Sequence, residues 1–260
     1  MPLGFTEGDG NFTLGAGRIY FRRQGEAAYR YIMTTPELTL TANTEVVTLY
    51  SSDNPVAQKL REVETQRDYE GTFAAHDINP ENLAIFFGGE VVEVSQTSGA
   101  VTDEVVSASA VADGVYQLGI ASAFPDGKRA LSSVVIDDGD GTTYVLGTDY
   151  EIDLRRGLLR ILPGGGAVGE EVEANYSYGT ASYTQVQGGG VQSATGAIKF
   201  VSENNEGEDI DYFMGNVTLR ANGDFALKSR TDWQGLSFTI SVNTDSLGRT
   251  IVSESTLETS

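Results

Sequence analysis

The chain has no cysteine, one histidine, six prolines and far fewer basic than acidic residues, with 17 Lys and Arg against 37 Asp and Glu. Without cysteine it cannot form a disulfide scaffold, a thiolate nucleophile or a cysteine-ligated metal site. With His76 as its sole histidine, it cannot assemble the clustered His and Cys ligands typical of zinc sites. No apolar run approaches the roughly 20 residues of a membrane-spanning helix, so we expect no membrane association.

The formal net charge of −20 argues against a simple nucleic-acid-binding protein. Such proteins hold phosphates with basic patches, whereas the field of this chain repels a polyanion. The same charge is compatible with a protein past which DNA moves without adhering. Hydrophobic residues make up 40% of the 260 residues, which favours one large or two modest folded domains over disorder. The first residues do not resemble a secretory signal, and we expect the protein in the cytoplasm or in a structure assembled there.

Alternation of apolar and polar residues predicts a mainly β fold, because successive side chains of a strand point to opposite faces. An Asn-Gly pair within residues 221–224 predicts a hairpin turn that leads into a further strand containing Phe225 and Leu227. The clearest alternating segments are residues 37–41, 68–73, 150–154, 172–178, 217–219 and 237–243.

Helix is predicted at residues 80–87, where Asn79 can cap the first turn, Pro80 fits that turn and two glycines follow. A helix of about two turns is marginal alone, so packing must stabilise it. A second, weaker candidate spans residues 55–67, whose apolar positions form one stripe among many charges. That segment is predicted to be either a helix or an extended loop.

The residue composition of the middle of the chain differs from that of its flanks, which predicts an organisation in two parts. We expect a first domain split into residues 1–96 and 189–260, and an inserted small antiparallel β-sandwich at residues 97–188. Residues 95–99 and 187–190 have the composition of linkers. Polar residues 1–15 and 245–260 are predicted to be terminal arms that a neighbouring molecule orders.

No motif supports an enzyme, and we expect neither a cofactor nor a metal. His76 lacks a nucleophile elbow and is interpreted as structural. Residues 137–141 resemble a calcium loop in composition, but the pattern lacks the turn glycine and the final glutamate, so a solvated turn is favoured over a weak calcium site. The acidic run at residues 206–211 is interpreted as a solvated loop, with a paired-carboxylate glycosidase site as the alternative.

Several segments together resemble the major tail tube protein of long-tailed bacteriophages. The inserted part resembles the accessory domain that some of these proteins carry, through residues 147–153 and 157–161. The segments of the first domain that carry the resemblance are residues 17–21, 29–40, 47–52, 79–84, 88–89, 219–227 and 233–238.

The resemblance implies a tail-tube-type β-sandwich or barrel with one short helix, plus an inserted Ig-like β-sandwich. It implies a virion structural protein, assembled in the host cytoplasm, that forms rings, usually hexameric, stacked into a tube. The expected partners are further copies of the chain, the tape measure protein inside the tube, and the tail terminator and tail tip proteins. DNA would pass through the tube during ejection without binding to it.

Two groups of residues are the candidate sites of such a tube. The alternative functions are a cell-surface or carbohydrate-binding module of a fibre or adhesin, and a glycan hydrolase that uses carboxylates. The wet faces of the early strands are candidates for the lumen, with an ordinary solvated sheet face as the alternative interpretation: Glu37, Thr39, Thr41, Asp68, Glu70 and Thr72. The charged segment 51–67 is the candidate ring-to-ring loop, through Asp53, Lys59, Arg61, Glu62, Glu64 and Arg67.

Overall fold

The structure is a computed structural model that describes residues 12–53, 55–190 and 193–255. It is 53% strand and 3% helix, which confirms the mainly β fold with a single short helix. The chain divides into two compact units, residues 1–92 with 186–260 (the split unit) and residues 93–185 (the inserted unit). The boundaries predicted from the sequence lie a few residues further along the chain.

Sixteen strands and one helix follow one another along the described residues. The order and bounds are β1 (Gly17–Arg23), β2 (Arg30–Tyr31), β3 (Leu38–Ser51), β4 (Gln58–Ala75), α1 (Pro80–Phe86), β5 (Glu90–Gln96), β6 (Gly99–Ser107), β7 (Val115–Gln117), β8 (Leu131–Asp137), β9 (Tyr150–Asp153), β10 (Leu158–Ile161), β11 (Val172–Tyr178), β12 (Ala181–Gln187), β13 (Ala194–Ser202), β14 (Ile210–Ala221), β15 (Leu236–Val242) and β16 (Val252–Ser255).

The split unit is built on one antiparallel sheet with the order β2-β1-β13-β14-β15-β4-β3, and β16 also pairs with β14. One face of this sheet carries the core, because the buried positions of its strands alternate with wetter ones. Phe238 and Phe73 stack there with ring centroids 5.2 Å apart, and Phe86 of α1 meets Phe238 edge-on at 6.1 Å. The helix therefore covers the apolar face of the sheet.

Helix α1 confirms the prediction for residues 80–87 to within one residue at its C-terminal end. The Asn79 side chain accepts a hydrogen bond from the Asn82 N–H at 2.8 Å, and Pro80 occupies the first turn, where no backbone donor is needed. Buried Asn82 in turn accepts a hydrogen bond from Arg30 Nη1 at 2.8 Å. This contact ties the helix to β2.

Three local predictions are wrong. Residues 58–67 are neither helix nor loop but the first part of β4, paired along its length with β3. The strand expected around Phe225 and Leu227 is absent from the described residues, and β14 instead pairs with β15 after a long loop. Residues 252–255 form β16 rather than an arm, while the predicted arm residues 1–11 and 256–260 lie outside the described residues.

The inserted unit contains two three-stranded antiparallel sheets, β7-β10-β9 and β6-β11-β8, around one hydrophobic cluster. The alternating segment 150–154 forms β9, which pairs with β10 in a hairpin whose turn places Gly157 at a φ of 70°. Tyr176 donates a hydrogen bond to Glu104 Oε2 at 2.5 Å. Burial, reinforced by this carboxylate, raises the pKa of the Tyr176 phenol and keeps it protonated. An Ig-like identity for this unit stays a prediction.

The predicted linker at residues 95–99 is largely strand, because β5 ends at Gln96 and β6 begins at Gly99, whereas only the first residue of the predicted linker 187–190 lies in a strand, β12. β5 and β12 pair with each other in a two-stranded sheet at the two places where the chain passes between the units. Buried Gln96 donates to the carbonyl oxygens of Arg129 and Gly179 at 2.8 and 2.7 Å and accepts from the Arg129 N–H at 3.1 Å. These hydrogen bonds lie within the inserted unit and fix Gln96 to the segments around Arg129 and Gly179.

Candidate assembly surfaces

The register of β3 and β4 brings the predicted lumen residues onto one face of the sheet. Thr39 lies opposite Thr72, Thr41 opposite Glu70, and Asp68 opposite Asn43. These side chains are exposed, and Glu37, which directly precedes β3, is exposed as well. Because alternate residues of the same strands are turned toward the core, the six predicted residues belong to the solvent-facing side of the sheet. Whether this side faces a lumen stays a prediction.

The same polar face continues across β15 and β14, beyond the six predicted residues. Thr72 lies opposite Thr239, which lies opposite Arg220, and Glu70 lies opposite Ser241, which lies opposite Thr218. The period-two alternation of β15 and β14 was visible in the sequence, but the order of the strands was not. The face is therefore wider than predicted and rich in hydroxyl groups.

Hydrogen bonds hold this face in a defined arrangement. The hydroxyl oxygens of Thr39 and Thr72 are 2.8 Å apart, and Asn43 Nδ2 donates to Glu70 Oε2 at 3.4 Å. In the paired rows that run from Thr39 to Arg220 and from Thr41 to Thr218, Arg220 is the only basic residue. These two rows thus present six hydroxyl groups, one carboxylate and one guanidinium. Arg18 and Arg22 of β1 and Lys199 of β13 lie on the same side of the sheet, because Ile19, Phe21 and Ile198 of those strands are turned toward the core.

Strands β3 and β4 continue beyond the core as a hairpin that is exposed on both faces. None of the 14 residues of β3 is buried, and its residues 39–47 are all exposed. β4 is exposed through its first eleven residues. Successive residues Val46 and Val47 are both exposed although they point to opposite faces, and Val47 lies opposite exposed Val63. The exposed apolar side chains of the hairpin are Val46, Val47, Leu49, Tyr50, Leu60 and Val63.

The candidate ring-to-ring residues occupy this hairpin, but most of them form strand rather than loop. Lys59 pairs with Glu62, and Arg67 Nε lies 2.7 Å from Glu64 Oε1, so these charges are paired within the chain. Exposed pairs of this kind contribute about 0–1 kcal/mol. Asp53 lies beyond β3 and accepts a hydrogen bond from Ser51 Oγ at 3.2 Å, while Arg61 lies opposite Leu49. The apolar side chains are therefore the stronger candidates for contact with another molecule.

Trp233, the only tryptophan, was not predicted as a site residue but is 92% exposed. It lies in the loop between β14 and β15, beside His76 and Met33 at the rim of a shallow cavity. A large aromatic side chain in this position is typical of a binding surface, since Trp is enriched at interaction hot spots. Its isolation in a polar stretch of sequence gave no periodic signal by which to find it.

The groups considered for catalysis or metal binding have structural partners. The Nδ1 atom of His76 lies 3.0 Å from the carbonyl oxygen of Gln234. Asp138 Oδ1 accepts hydrogen bonds from the N–H groups of Asp140 and Thr142 at 2.9 and 2.7 Å, and the contacts with Thr142 hold the pKa of Asp138 below its ordinary value. Among the described residues, no group of three or more His, Asp or Glu side chains is arranged to hold a metal ion.

A sequence model of the family described as "Protein of unknown function UCP028589" matches residues 12–194. This match covers more than half of the chain, and the protein belongs to that family. It includes the whole inserted unit as well as the first part of the split unit. No curated protein matches the chain. Across residues 12–53, 55–190 and 193–255, no helix has the length and apolar character needed to cross a membrane.

Proposed function

We propose that the protein is the structural subunit of a phage-type tail tube, which assembles into stacked sixfold rings around a channel for DNA. The observation that carries this proposal is the polar face of the eight-stranded sheet, with Glu37, Asp68 and Glu70 among its hydroxyl groups. Lining a channel with this face would place carboxylates and hydroxyls against the moving DNA.

The electrostatic reasoning follows from how proteins hold DNA. Each Lys or Arg that contacts a phosphate releases counterions and adds to affinity, so a wall with basic residues would retard transit. Carboxylates such as Glu70 repel phosphates, and threonine hydroxyls such as that of Thr72 remain hydrated. In the paired rows Arg220 stands against Glu70 and six hydroxyl groups, and the proposed wall is therefore the part of the face formed by β3, β4 and β15 rather than the part with Arg18, Arg22 and Lys199 on β1 and β13. A wall of this composition would let DNA slide without adhering.

The exposed hairpin supports self-association. β3 is the last strand in the sheet order, so its outer edge carries backbone donors and acceptors over a strand of 14 residues. Soluble monomers generally protect long edges, because such an edge pairs with other chains. The apolar side chains around Val47 and Val63 add a driving force for burial against another copy. We propose that this hairpin bridges neighbouring subunits.

The remaining parts of the proposal follow from the geometry of a tube. The inserted unit would lie on the outside, because a body of about 90 residues in the bore would obstruct it. A tape measure protein would occupy the lumen during assembly, and terminator and tip proteins would close the two ends of the tube. The protein would then be a non-enzymatic component of the virion tail, without a cofactor.

Electron microscopy of the purified full-length chain tests the proposal. We expect hollow tubes of regular diameter with a repeat along the axis. Only monomers or trimers at high concentration would refute the tube, and binding to a glycan array under those conditions would favour the fibre or adhesin alternative. Turnover of a glycan that disappears when one carboxylate is replaced would instead favour the hydrolase.

A further inference from the structure

Trp233 is a large apolar side chain left uncovered at the end of the sheet where β4 stops. It is 92% exposed and lines two shallow cavities of about 390 and 520 Å³. His76, the residue after β4, lines both cavities, Met33 lines the smaller one and residues 229–232 line the larger one. These residues together form the tryptophan surface. Filling its recesses with apolar side chains of another molecule would release water from Trp233, the residue type most typical of interaction hot spots.

The tryptophan surface carries an unmatched positive charge beside its apolar centre. Arg230 lines the larger cavity, is exposed and forms no salt bridge within the described part of the chain. The acidic residues of the two linings already accept hydrogen bonds, Asp77 from Asn79 Nδ2 at 2.6 Å and Asp232 from Thr231 Oγ1 at 3.0 Å. The guanidinium of Arg230 is therefore available to a carboxylate from outside the molecule.

The tip of the β3–β4 hairpin, residues 49–60, offers complementary groups. Val56 is 76% exposed, and Leu60 near it is 58% exposed. Asp53 is exposed as well; it accepts a hydrogen bond from Ser51 Oγ at 3.2 Å, but it forms no salt bridge with any residue that the structure describes. The hairpin tip thus presents apolar side chains together with a carboxylate that lacks a cationic partner.

The hairpin tip and the tryptophan surface lie at opposite ends of β4. This strand has 18 residues, from Gln58 at the tip to Ala75 next to His76, and it spans roughly 55 Å at about 3.3 Å per residue. The tip therefore cannot reach the tryptophan surface of its own copy. A second copy displaced along β4 presents its tryptophan surface to the tip of the first, so each copy can donate one contact and accept another.

We propose that the hairpin tip of one copy docks on the tryptophan surface of the next copy along a stack. Val56 and Leu60 fill the recesses beside Trp233. Asp53 pairs with Arg230 at the rim, and this charge-assisted contact fixes the orientation of the two copies. Because the donating and accepting surfaces differ, the contact is heterologous and generates an open stack rather than a closed dimer. The inference rests on the proposed tube, for which it names the surface that receives the hairpin.

Trp233 reports its own burial, because the chain contains no other tryptophan. Fluorescence emission and its quenching by acrylamide are measured on the full-length chain below and above the concentration at which it assembles. We expect the emission of a solvated indole in the monomer. In tubes, the emission should shift to shorter wavelength and acrylamide should quench it severalfold less.

Truncation of the tryptophan measures what the contact contributes. Trp233→Ala should raise the protein concentration needed for assembly about 30-fold, as expected for the loss of an interface hot spot. Its unfolding temperature should match that of the wild type, because the side chain is exposed in the monomer. The matched control Ile120→Ala, at a side chain that is 62% exposed in the inserted unit, should assemble as the wild type does.

Disulfide trapping identifies what covers the tryptophan surface, since the chain has no cysteine of its own. Two variants combine Val56→Cys with either Met33→Cys or Thr231→Cys, and their tubes are treated with oxidised glutathione. A disulfide forms only where two Cα atoms approach within about 7 Å, so bridges between copies should give a ladder of covalent multimers on a non-reducing gel. Each single substitution should give no more than dimers. The matched control, Val56→Cys with Val145→Cys at a 58% exposed position of the inserted unit, should give no ladder.

The outcomes distinguish this contact from the tube itself. Tubes in which acrylamide quenches Trp233 as strongly as in the monomer would overturn the contact and leave the tube proposal intact, and so would Trp233→Ala tubes that form at the wild-type concentration. Protection of Trp233 without a ladder from either cysteine pair would overturn the hairpin tip as the occupant, as would an equally strong ladder from the control pair. Absence of wild-type tubes would overturn both proposals.

Discussion

Weakening the apolar surface of the β3–β4 hairpin should impair assembly without affecting the fold. Val47, Leu49 and Val63 are between 57% and 62% exposed, so about three-fifths of each side chain remains to be buried in a complex. Full burial of such a side chain contributes about 1.5–3 kcal/mol, which leaves about 3–5 kcal/mol for the three together. Threonine is β-branched and keeps one methyl group, so the triple threonine variant should lose roughly half, about 1.5–2.7 kcal/mol per contact. That loss corresponds to a 10- to 100-fold higher assembly concentration, by about 1.4 kcal/mol per factor of ten.

Sedimentation velocity across a concentration series measures this shift, and thermal unfolding checks the fold. Because the three side chains are exposed, the free energy of unfolding of the isolated subunit should change by less than about 0.5 kcal/mol per site. The matched control replaces Val105, Val115 and Val145 of the inserted unit, which are 57–60% exposed, with threonine. Assembly of the hairpin variant at the wild-type concentration would refute the assignment of the hairpin to an interface.

Three further predictions address the polar face, the inserted unit and the core. Glu37→Lys and Glu70→Lys should permit assembly but slow DNA release from virions, because each added cation can hold a phosphate. Release at the normal rate in both variants would show that neither residue lines a lumen. Replacing residues 93–185 with a short Gly-Ser linker should leave a folded chain that still forms tubes, and loss of soluble expression would contradict the independence of the split unit. Phe238→Ala should lower the free energy of unfolding by about 3–5 kcal/mol, because the Phe238 side chain is 2% exposed and lies between Phe73 and α1. Urea titration measures this loss, and a value below about 1 kcal/mol would argue against the packing described.

The sequence correctly predicts those strands and that helix whose alternation or capping residues match the packing they have in the folded chain. The alternation at residues 237–243 persists in β15 because one side of that strand packs against the core. Helix α1 is predicted correctly because Asn79 and Pro80 supply both a capping acceptor and a suitable first turn. The six lumen candidates belong to one face because alternation assigns the face of a residue independently of strand order.

The failures have tertiary causes. Val56, Leu60 and Val63 have the spacing of a helical stripe, yet pairing with β3 and two register shifts place this segment in a strand. Phe225 follows a strong turn signal but packs from a loop against Phe86, with ring centroids 5.9 Å apart. The cavity lined by Arg22, Arg23 and Arg249 joins residues from β1 and from the turn before β16, and local sequence patterns contain no information about such a distant juxtaposition.

The entry and exit of the inserted unit have a practical consequence. β5 and β12 are hydrogen-bonded neighbours, and adjacent strands lie only about 4.8 Å apart, so the chain leaves and re-enters the split unit at nearly one point. A foreign domain whose own termini lie close together could be spliced there without stretching either strand. In the proposed tube, such a fusion would display enzymes or antigens at regular intervals along the assembly.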